Sequence, residues 1–325
     1  MQRRPVISAL ACGLVTTIFD AQAQSATKIH RVGFLTHASS EQSARYFGAF
    51  NEGLRSFGYV ENRNVVVMPR FGDGTLERLP ELAADLVRSR PDVIVTGSQP
   101  LAIAAQRATA TIPVVMVGVA DPVGIGLIAN LARPGRNVTG LSIDAGPEMG
   151  GKSVELLREL APGLSRVGVL RHVIYPVENN AALEAAAKTM NIAIEVVEVR
   201  DASEIEAGFA RLKLLRVGAA IILGTFFWVH RRQVAELAIR DRLPAFHALK
   251  DFSDAGLLVS YGANLEHLYG RAASYVDRIL RGAKPGELAV EQPTKFDLVI
   301  NLRTAKALGL KIPPSLLARA DEVIQ

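Results

Sequence analysis

Short runs of β-branched and other apolar residues alternate with longer segments in which apolar residues recur every three or four positions. The short runs predict buried parallel strands, and the longer segments predict helices that cross over between them. The predicted strands are Arg31–Thr36, Val65–Arg70, Val93–Thr96, Val114–Val117, Val138–Leu141, Val167–Leu170, Ile194–Val199, Ala219–Leu223, Ala245–His247 and Leu258–Tyr261. The helical pattern is clearest at Ser43–Phe57, Leu76–Arg88, Asn180–Met190, Glu204–Leu215 and Leu265–Arg281. This alternation is typical of α/β proteins.

The strand series occurs twice. The segment Arg31–Leu35 is echoed 135 positions later by Arg166–Leu170, and Asp92–Gly97 is echoed 127 positions later by Ala219–Gly224. We therefore predict two doubly wound, Rossmann-like lobes with a central cleft. The chain after the last long helix is too short for a third domain and must pack back on both lobes. The predicted boundaries are 28–140 plus about 263–292 for the first lobe, and 141–262 plus about 293–325 for the second.

This organisation predicts where a ligand would bind. In open parallel sheets, ligands bind beyond the carboxyl ends of the strands, where helix N-termini present free N–H groups. The segments that directly follow strands should therefore line the cleft. The candidates in these segments are His37, Ser39, Ser98, Gln99 and Asp121 in the first lobe, and His172, Tyr175, Thr225 and Phe226 in the second.

The first residues have a different pattern. Arg3 and Arg4 precede an apolar stretch, Val6–Phe19, which is followed by Ala21-Gln22-Ala23. This order predicts a signal peptide over residues 1–23 and export to the periplasm. Lipid attachment at Cys12 is not expected, because Ala9-Leu10-Ala11 matches a lipoprotein site poorly and apolar residues continue past the cysteine. Since Cys12 is the sole cysteine, its removal would exclude disulfides and thiolate chemistry.

Composition and charge narrow the class of function. The 325 residues are 49% hydrophobic and 21% charged, with a net charge of +5 and no run of five basic residues, so no nucleic-acid partner is predicted. The sequence contains no nucleophile elbow, phosphate-binding loop or paired metal-binding histidines on a helix. We therefore predict neither an enzyme nor a cofactor or metal. A metal bridge between His37 and His172 across the cleft is the alternative left open.

Several candidates have two interpretations. Ser98 and Asp121 precede prolines at the start of predicted helices, where they would cap the helix, bind a ligand, or do both. Tyr175, Phe226 and Trp228 follow strands of the second series. Aromatic groups at strand ends would suit a ligand with an apolar body and polar ends.

Distinct motifs are spread from about residue 30 to the end of the chain. They include Gly118–Gly124, Leu131–Gly135, Asn137–Leu141, Glu291–Phe296 and Ile312–Asp321. In these segments the sequence resembles a family of ABC transporter substrate-binding proteins that includes tryptophan- and tyrosine-binding members.

The resemblance implies a type I periplasmic binding protein fold and a monomer. It further implies a small-molecule ligand and an ABC permease in the inner membrane as partners. In such proteins the ligand lies between the lobes, held by polar groups of first-lobe loops and by aromatic residues. That pattern maps onto Ser98, Gln99 and Asp121, and it adds Thr139 and Tyr261 as candidates.

The sequence also departs from the family pattern. Many relatives carry an acidic residue just after the strand that here ends Leu223-Gly224-Thr225, and an Asn-Pro turn where Arg171 and His172 begin the corresponding segment. A missing carboxylate weakens the case for a ligand ammonium, whereas an arginine and a histidine suit an anion. The expected ligand bears a carboxylate and is either an aromatic or branched amino acid or a related acid. Our hypothesis is that it is such an acid without the amino group. The alternatives are a periplasmic sensor that docks on a membrane kinase and a cleft enzyme.

Overall fold

The computed structural model describes residues 28–143, 148–175 and 181–325. The predicted signal peptide, with Cys12, lies outside the described residues. Within these ranges the chain forms two α/β lobes, each built around its own sheet. All ten predicted strands are found, with ends that shift by at most two residues.

The first sheet is entirely parallel and has the order β2-β1-β3-β4-β5. Its strands are β1 (His30–Thr36), β2 (Val65–Phe71), β3 (Val93–Gly97), β4 (Val114–Val119) and β5 (Val138–Ser142). Helices α1 (Ser40–Ser56), α2 (Leu79–Arg88) and α3 (Gln99–Ala108) connect them. Residues of β3 and β4 are almost wholly buried, as expected for strands covered on both faces.

The second sheet has the order β12-β11-β10-β9-β8-β6-β7. Its strands are β6 (Arg166–His172), β7 (Ala193–Val199), β8 (Ala219–Leu223), β9 (Ala245–His247), β10 (Val259–Ala263), β11 (Phe296–Asn301) and β12 (Glu322–Ile324). Its helices are α4 (Glu148–Leu160), α5 (Ala181–Thr189), α6 (Ile205–Leu214), α7 (Phe226–Val229), α8 (Arg231–Arg240) and α9 (Lys250–Asp254). The order β7-β6-β8-β9-β10 repeats that of the first sheet, so the predicted duplication is confirmed.

The last part of the chain contributes elements to both lobes. Helix α10 (Leu265–Leu280) follows β10 of the second lobe but packs against α1 of the first. The approach is close at Gly53, where a Cβ atom would lie 2.4 Å from the Gly270 carbonyl oxygen. Glu291 then exchanges backbone hydrogen bonds with Gly140 and Ser142 of the first lobe. The chain next enters β11 of the second sheet and ends with α11 (Leu302–Ala307), α12 (Pro314–Leu317) and β12.

The two lobes are in contact across the cleft. One hydrophobic cluster contains Phe34 and Tyr46 of the first lobe together with Phe227 and Trp228 of the second. The structure is therefore a closed form, in which both lobes contribute to one buried region. Among the described residues, no helix combines the length and the apolar character that crossing a bilayer requires.

Candidate ligand-binding site

Each lobe has a crevice at the carboxyl end of its sheet. In the first lobe β1 leads to β2 on one side and β3 leads to β4 on the other, so the connections diverge between β1 and β3. His37 follows β1 and Ser98 follows β3 at this crevice. The equivalent crevice of the second lobe lies between β6 and β8, and it is flanked by His172 and Thr225. Ligands of open α/β sheets bind at such crevices.

A first cavity lies where the two crevices face each other. The free volume between its walls, including the part open to solvent, is about 560 Å³. Its second-lobe walls are Thr225, Trp228 and Leu249. Its other walls are Phe34, Thr36, His37, Ser43, Tyr46, Gly97, Ser98, Val117, Gly118, Ile143, Leu265 and Tyr269. The cavity therefore depends on both lobes for its enclosure.

Aromatic rings form much of the wall. Tyr269 stacks on Tyr46 with ring centroids 5.2 Å apart and lies 5.8 Å from Phe34. Trp228 reaches across from the second lobe, 6.0 Å from Tyr46 and 5.8 Å from His37. These side chains form an aromatic box suited to a flat apolar group.

Trp228 is held in place from its own lobe. The guanidinium carbon of Arg231 lies 4.4 Å from the centroid of the Trp228 ring. Arg231 also donates a hydrogen bond of 2.8 Å to the Trp228 carbonyl oxygen. A cation stacked on the indole restricts its rotation, so this wall of the cavity is preorganised.

Four polar atoms of the cavity walls are buried and have no hydrogen-bond partner in the described part of the chain. They are both ring nitrogens of His37, Oγ of Ser98 and Nε1 of Trp228. Buried polar atoms of folded proteins are almost always paired, because an unpaired one costs about 1–3 kcal/mol. These four atoms come from both lobes and line one cavity.

The cavity is electrically neutral within the described residues. No aspartate, glutamate, lysine or arginine is among its walls. Burial lowers the pKa of His37 to about 4, so its imidazole is neutral at physiological pH. A neutral imidazole donates from one nitrogen and accepts at the other. His37 can therefore serve either kind of polar ligand group.

Ser98 is presented by a strained turn. Its φ of 103° lies in the left-handed region, and its N–H donates to the Val117 carbonyl oxygen at 3.1 Å. The hydroxyl does not cap α3, although Ser98 stands at the N-cap position. Of the two interpretations of this serine, helix capping by the hydroxyl is not observed. Strain of this kind is concentrated at functional sites, where surrounding contacts maintain it.

Gly97 brings another wall close to this turn. An added Cβ atom at Gly97 would lie 1.6 Å from the phenolic oxygen of Tyr269. Only a glycine leaves room for the tyrosine at this point. The sequence Gly97-Ser98 thus places the Tyr269 ring beside a hydroxyl that has no partner among the described residues.

A second, smaller cavity lies beside the first, and the free volume between its walls, including the part open to solvent, is about 320 Å³. Its walls are Leu76, Gln99 and Pro100 of the first lobe and His172, Ile174, Tyr175, Gly224, Thr225 and Phe226 of the second. Thr225 belongs to the walls of both cavities. Five predicted site residues therefore meet in the second cavity: Gln99, His172, Tyr175, Thr225 and Phe226.

His172 is already engaged by the protein. Its Nε2 donates to the Arg200 carbonyl oxygen at 2.9 Å, and its Nδ1 accepts from the Ile174 N–H at 3.4 Å. The ring stacks on Phe226 with centroids 4.2 Å apart. His37 and His172 line different cavities, and the described ranges hold no metal-binding group of three His, Cys, Asp or Glu residues.

Two further candidates stabilise turns and lie outside both linings. The hydroxyl of Ser39 accepts a hydrogen bond of 3.2 Å from the Gln42 N–H and forms the capping box of α1. The carboxylate of Asp121 accepts a hydrogen bond of 2.9 Å from the Gly124 N–H. The structure has no helix directly after Asp121, so the predicted helix cap is wrong, and the observed contact closes a turn instead.

The two candidates added by family resemblance are also outside both linings. Thr139 is fully buried in β5 and donates a hydrogen bond of 2.7 Å to the Leu288 carbonyl oxygen. Tyr261 lies on β10, where its ring is 5.9 Å from that of Phe296. In this closed form both side chains make contacts internal to the protein.

Sequence reasoning missed Tyr46, Leu249 and Tyr269 as cavity residues. Tyr46 lies in α1 and Tyr269 in α10, at buried positions of long helices. In the sequence such positions have the same pattern as ordinary core residues. Only the packing of α10 on α1 brings the two rings together.

Two facing α/β lobes, with an enclosed cavity lined from both, define a two-lobed solute-binding protein. A family model for ABC transporter substrate binding proteins matches residues 29–324, and the chain belongs to this family. These proteins bind a substrate for a transporter. The prediction that the chain is not an enzyme is thereby confirmed.

Named relatives agree with this assignment. A tyrosine-binding protein of Clostridioides difficile is 26% identical over 275 residues, which cover 81% of this chain and 76% of that protein. The ABC domain of Streptococcus pneumonia in complex with L-Trp is 25% identical, with a TM-score of 0.83 over 91% of this chain and all of the other. A ligand-free, open substrate-binding protein of Clostridium difficile is 22% identical, with a TM-score of 0.66 over 91% and 99%. The closed form described here is thus nearer in shape to the L-Trp complex.

Proposed function

We propose that this protein is the exported receptor of an ABC uptake transporter and closes its two lobes around a small carboxylate-bearing ligand. The ligand class is an aromatic or branched amino acid or a related acid. One observation carries the proposal: unpartnered buried polar atoms of both lobes converge in one aromatic cavity.

Closure follows from how the polar atoms are divided. His37 and Ser98 belong to the first lobe and Trp228 to the second, so a ligand contacts all three only when the lobes are closed. A ligand with higher affinity for the closed form shifts the population towards it. A permease in the inner membrane would recognise the closed receptor, which acts as a monomer. The order of residues 1–23 supports export of the receptor to the periplasm.

The carboxylate would be held by neutral donors. Ser98 offers an O–H, Trp228 an N–H and His37 one ring N–H. Hydrogen bonds to a carboxylate are shorter and stronger than those between neutral groups, so an arginine is not required. Arg171, which the sequence suggested as an anion partner, instead pairs with Glu198 and lies outside both linings.

The other end of the ligand is apolar. Phe34, Tyr46 and Tyr269 provide a box for a ring or a branched side chain. Relatives named for tyrosine and L-Trp support the aromatic part of this class. An ammonium group, in contrast, finds no carboxylate among the described walls of the cavity. Within the class, the neutral lining therefore favours acids that lack the ammonium group.

Thermal unfolding of the purified protein tests the proposal. The panel pairs phenylalanine, tryptophan, tyrosine and leucine with their 2-oxo acid analogues and includes 3-phenylpropionate. A ligand at 100 times its Kd adds about 2.7 kcal/mol to the free energy of unfolding, which raises the Tm by several degrees. Ser98→Ala should reduce the shift given by any hit. No shift with any compound would contradict the proposed ligand class.

A further inference from the structure

In the proposed function the ring and the carboxylate of the ligand lie in the first cavity, and the second cavity is left without a role. It lies beside the first, and Thr225 stands between them as a wall of both. The consecutive residues Ser98 and Gln99 are divided in the same way: Ser98 lines the first cavity and Gln99 the second. A ligand carboxylate bound at Ser98 is therefore next to the entrance of the second cavity.

The walls of the second cavity define what it can accept. Leu76, Ile174 and Phe226 are apolar, Gln99 contributes a carboxamide, and Thr225 and Tyr175 contribute hydroxyls. The Thr225 hydroxyl does not cap α7. No charged side chain is among the described walls. The cavity therefore suits an uncharged group that both donates and accepts hydrogen bonds.

The ring nitrogens of His172 are not available to a ligand in the second cavity. Both of its ring nitrogens are engaged by backbone groups of Arg200 and Ile174, and Phe226 covers a face of the ring. The histidine therefore contributes shape without a hydrogen bond to the ligand. A polar ligand group in this cavity would pair with Gln99 and Thr225.

We propose that the second cavity is a subsite for an uncharged polar substituent on the carbon next to the ligand carboxylate. An amide suits it best, because a carboxamide such as that of Gln99 pairs with both the N–H and the C=O of an amide. The preferred ligand would then be an N-acylated aromatic amino acid, in which the amide replaces the ammonium group. This inference rests on the proposed function, since it assumes a carboxylate at Ser98.

Isothermal titration calorimetry with three probes of equal ring size tests the subsite. They are 3-phenylpropionate, which lacks the substituent, L-phenylalanine, which carries an ammonium there, and N-acetyl-L-phenylalanine, which carries an amide. The amide probe should bind about tenfold more tightly than 3-phenylpropionate, as one or two added hydrogen bonds predict. Equal or weaker binding of the amide probe, with 3-phenylpropionate still bound, overturns the subsite and leaves the proposed function standing. Failure of all three probes to bind overturns the subsite together with the aromatic part of the proposed ligand class.

Two exposed neighbours provide a matched pair of variants. Ile174 is a wall of the second cavity and is 58% exposed, whereas Val173 is 42% exposed and lies outside its lining. Ile174→Trp should fill the cavity and remove most of the advantage of the amide probe, without changing the affinity for 3-phenylpropionate. Val173→Trp should leave both affinities unchanged. An Ile174→Trp variant that retains the full preference for the amide contradicts the proposal.

Discussion

The hydroxyl of Tyr46 in α1 donates a hydrogen bond to the carboxylate of Asp251 in α9, across the cleft between the lobes. Both side chains are buried, at 5% and 8% exposure. Burial and the adjacent carboxylate raise the pKa of Tyr46, so the phenol keeps the proton that it donates. Beside this contact, Arg45 forms an ion pair of 3.2 Å with Asp254. These contacts join the lobes next to the aromatic box.

Tyr46→Phe should favour opening of the lobes. The substitution removes the donor and leaves the Asp251 carboxylate without this bond in the closed form, at a cost of about 1.5–3 kcal/mol. The open form has no such cost, because there the carboxylate is hydrated. We expect the affinity of a ligand that binds the closed form to fall roughly tenfold or more. Calorimetry measures the affinity, and small-angle X-ray scattering should show a larger radius of gyration without ligand.

Tyr59→Phe is the matched control for this prediction. The Tyr59 hydroxyl donates to Asp277 at 3.2 Å; Tyr59 lies in the connection between α1 and β2, and Asp277 lies in α10, which packs on α1. This variant should lose stability without a change in the radius of gyration or in ligand affinity. Equal effects of the two substitutions on affinity would show that Tyr46 does not act through closure.

Two serines at the starts of helices should respond in opposite ways to alanine. Ser98→Ala removes a buried hydroxyl that makes no hydrogen bond to the described protein, so stability should not fall, while ligand affinity falls about tenfold. Ser39→Ala removes the cap of α1 and should cost about 1 kcal/mol of stability with affinity unchanged. Urea unfolding and calorimetry on each variant measure the two quantities. A loss of stability in Ser98→Ala but not in Ser39→Ala would contradict the roles given to both serines.

Gly97→Ala should disturb both the fold and the cavity. The added methyl group would overlap the phenolic oxygen of Tyr269. The shifts needed to remove this overlap should lower the free energy of unfolding by about 1–3 kcal/mol. Gly48→Ala is the control, because Gly48 lies in α1 with no atom within 4 Å of an added Cβ. That control should gain about 0.5–1 kcal/mol from helix propensity. Thermal unfolding measures whether each variant is less or more stable than the wild type. A Gly97→Ala variant of wild-type stability would contradict the close contact between Gly97 and Tyr269.

Stability should fall as the solution is acidified below neutrality. Burial lowers the pKa of His37 to about 4 and that of His247 to about 3, whereas an unfolded histidine titrates near 6.5. Between these values the unfolded chain binds more protons. The free energy of unfolding therefore falls as the pH decreases from about 6.5 to 4, by at most about 1.4 kcal/mol per pH unit for each histidine.

Substitution separates the contribution of His37 to this pH dependence. His37→Asn should make the decrease between pH 6.5 and 4 shallower, as measured by urea unfolding at several pH values. The slope that remains in this variant reports on His247, whose pKa burial also lowers. A His37→Asn variant with the wild-type slope would mean that His37 is not kept neutral by burial.

The fold could be predicted from local pattern because the strands are buried on both faces. Runs such as Val93–Thr96 and Val114–Val117 are continuously apolar, and the repeated segments 31–35 and 166–170 imply the duplication. The same logic located His37 and Ser98, since strand ends at a crevice follow directly from strand order. The antiparallel β11 and the edge strand β12 were not predicted, because both depend on how the tail packs.

The remaining walls of the site depend on tertiary packing. Tyr46 and Tyr269 meet only because α10 crosses back to the first lobe. Trp228 becomes a wall only when the lobes are closed. In contrast, Asp121 and Ser39 have the residue type and position of ligand-binding groups, but nearby backbone N–H groups occupy their oxygens. Sequence position cannot distinguish these two uses of an oxygen atom.

Trp228 allows the most direct test of the account. It is the sole tryptophan of the chain and a wall of the cavity, so its fluorescence reports on that site alone. Titration with 3-phenylpropionate, whose benzene ring does not absorb the light that selectively excites tryptophan, should give a saturable change in fluorescence. The same titration of Ser98→Ala should require about tenfold more ligand. If calorimetry detects binding while Trp228 fluorescence stays constant, the ligand binds elsewhere and the cavity between the lobes is not the site.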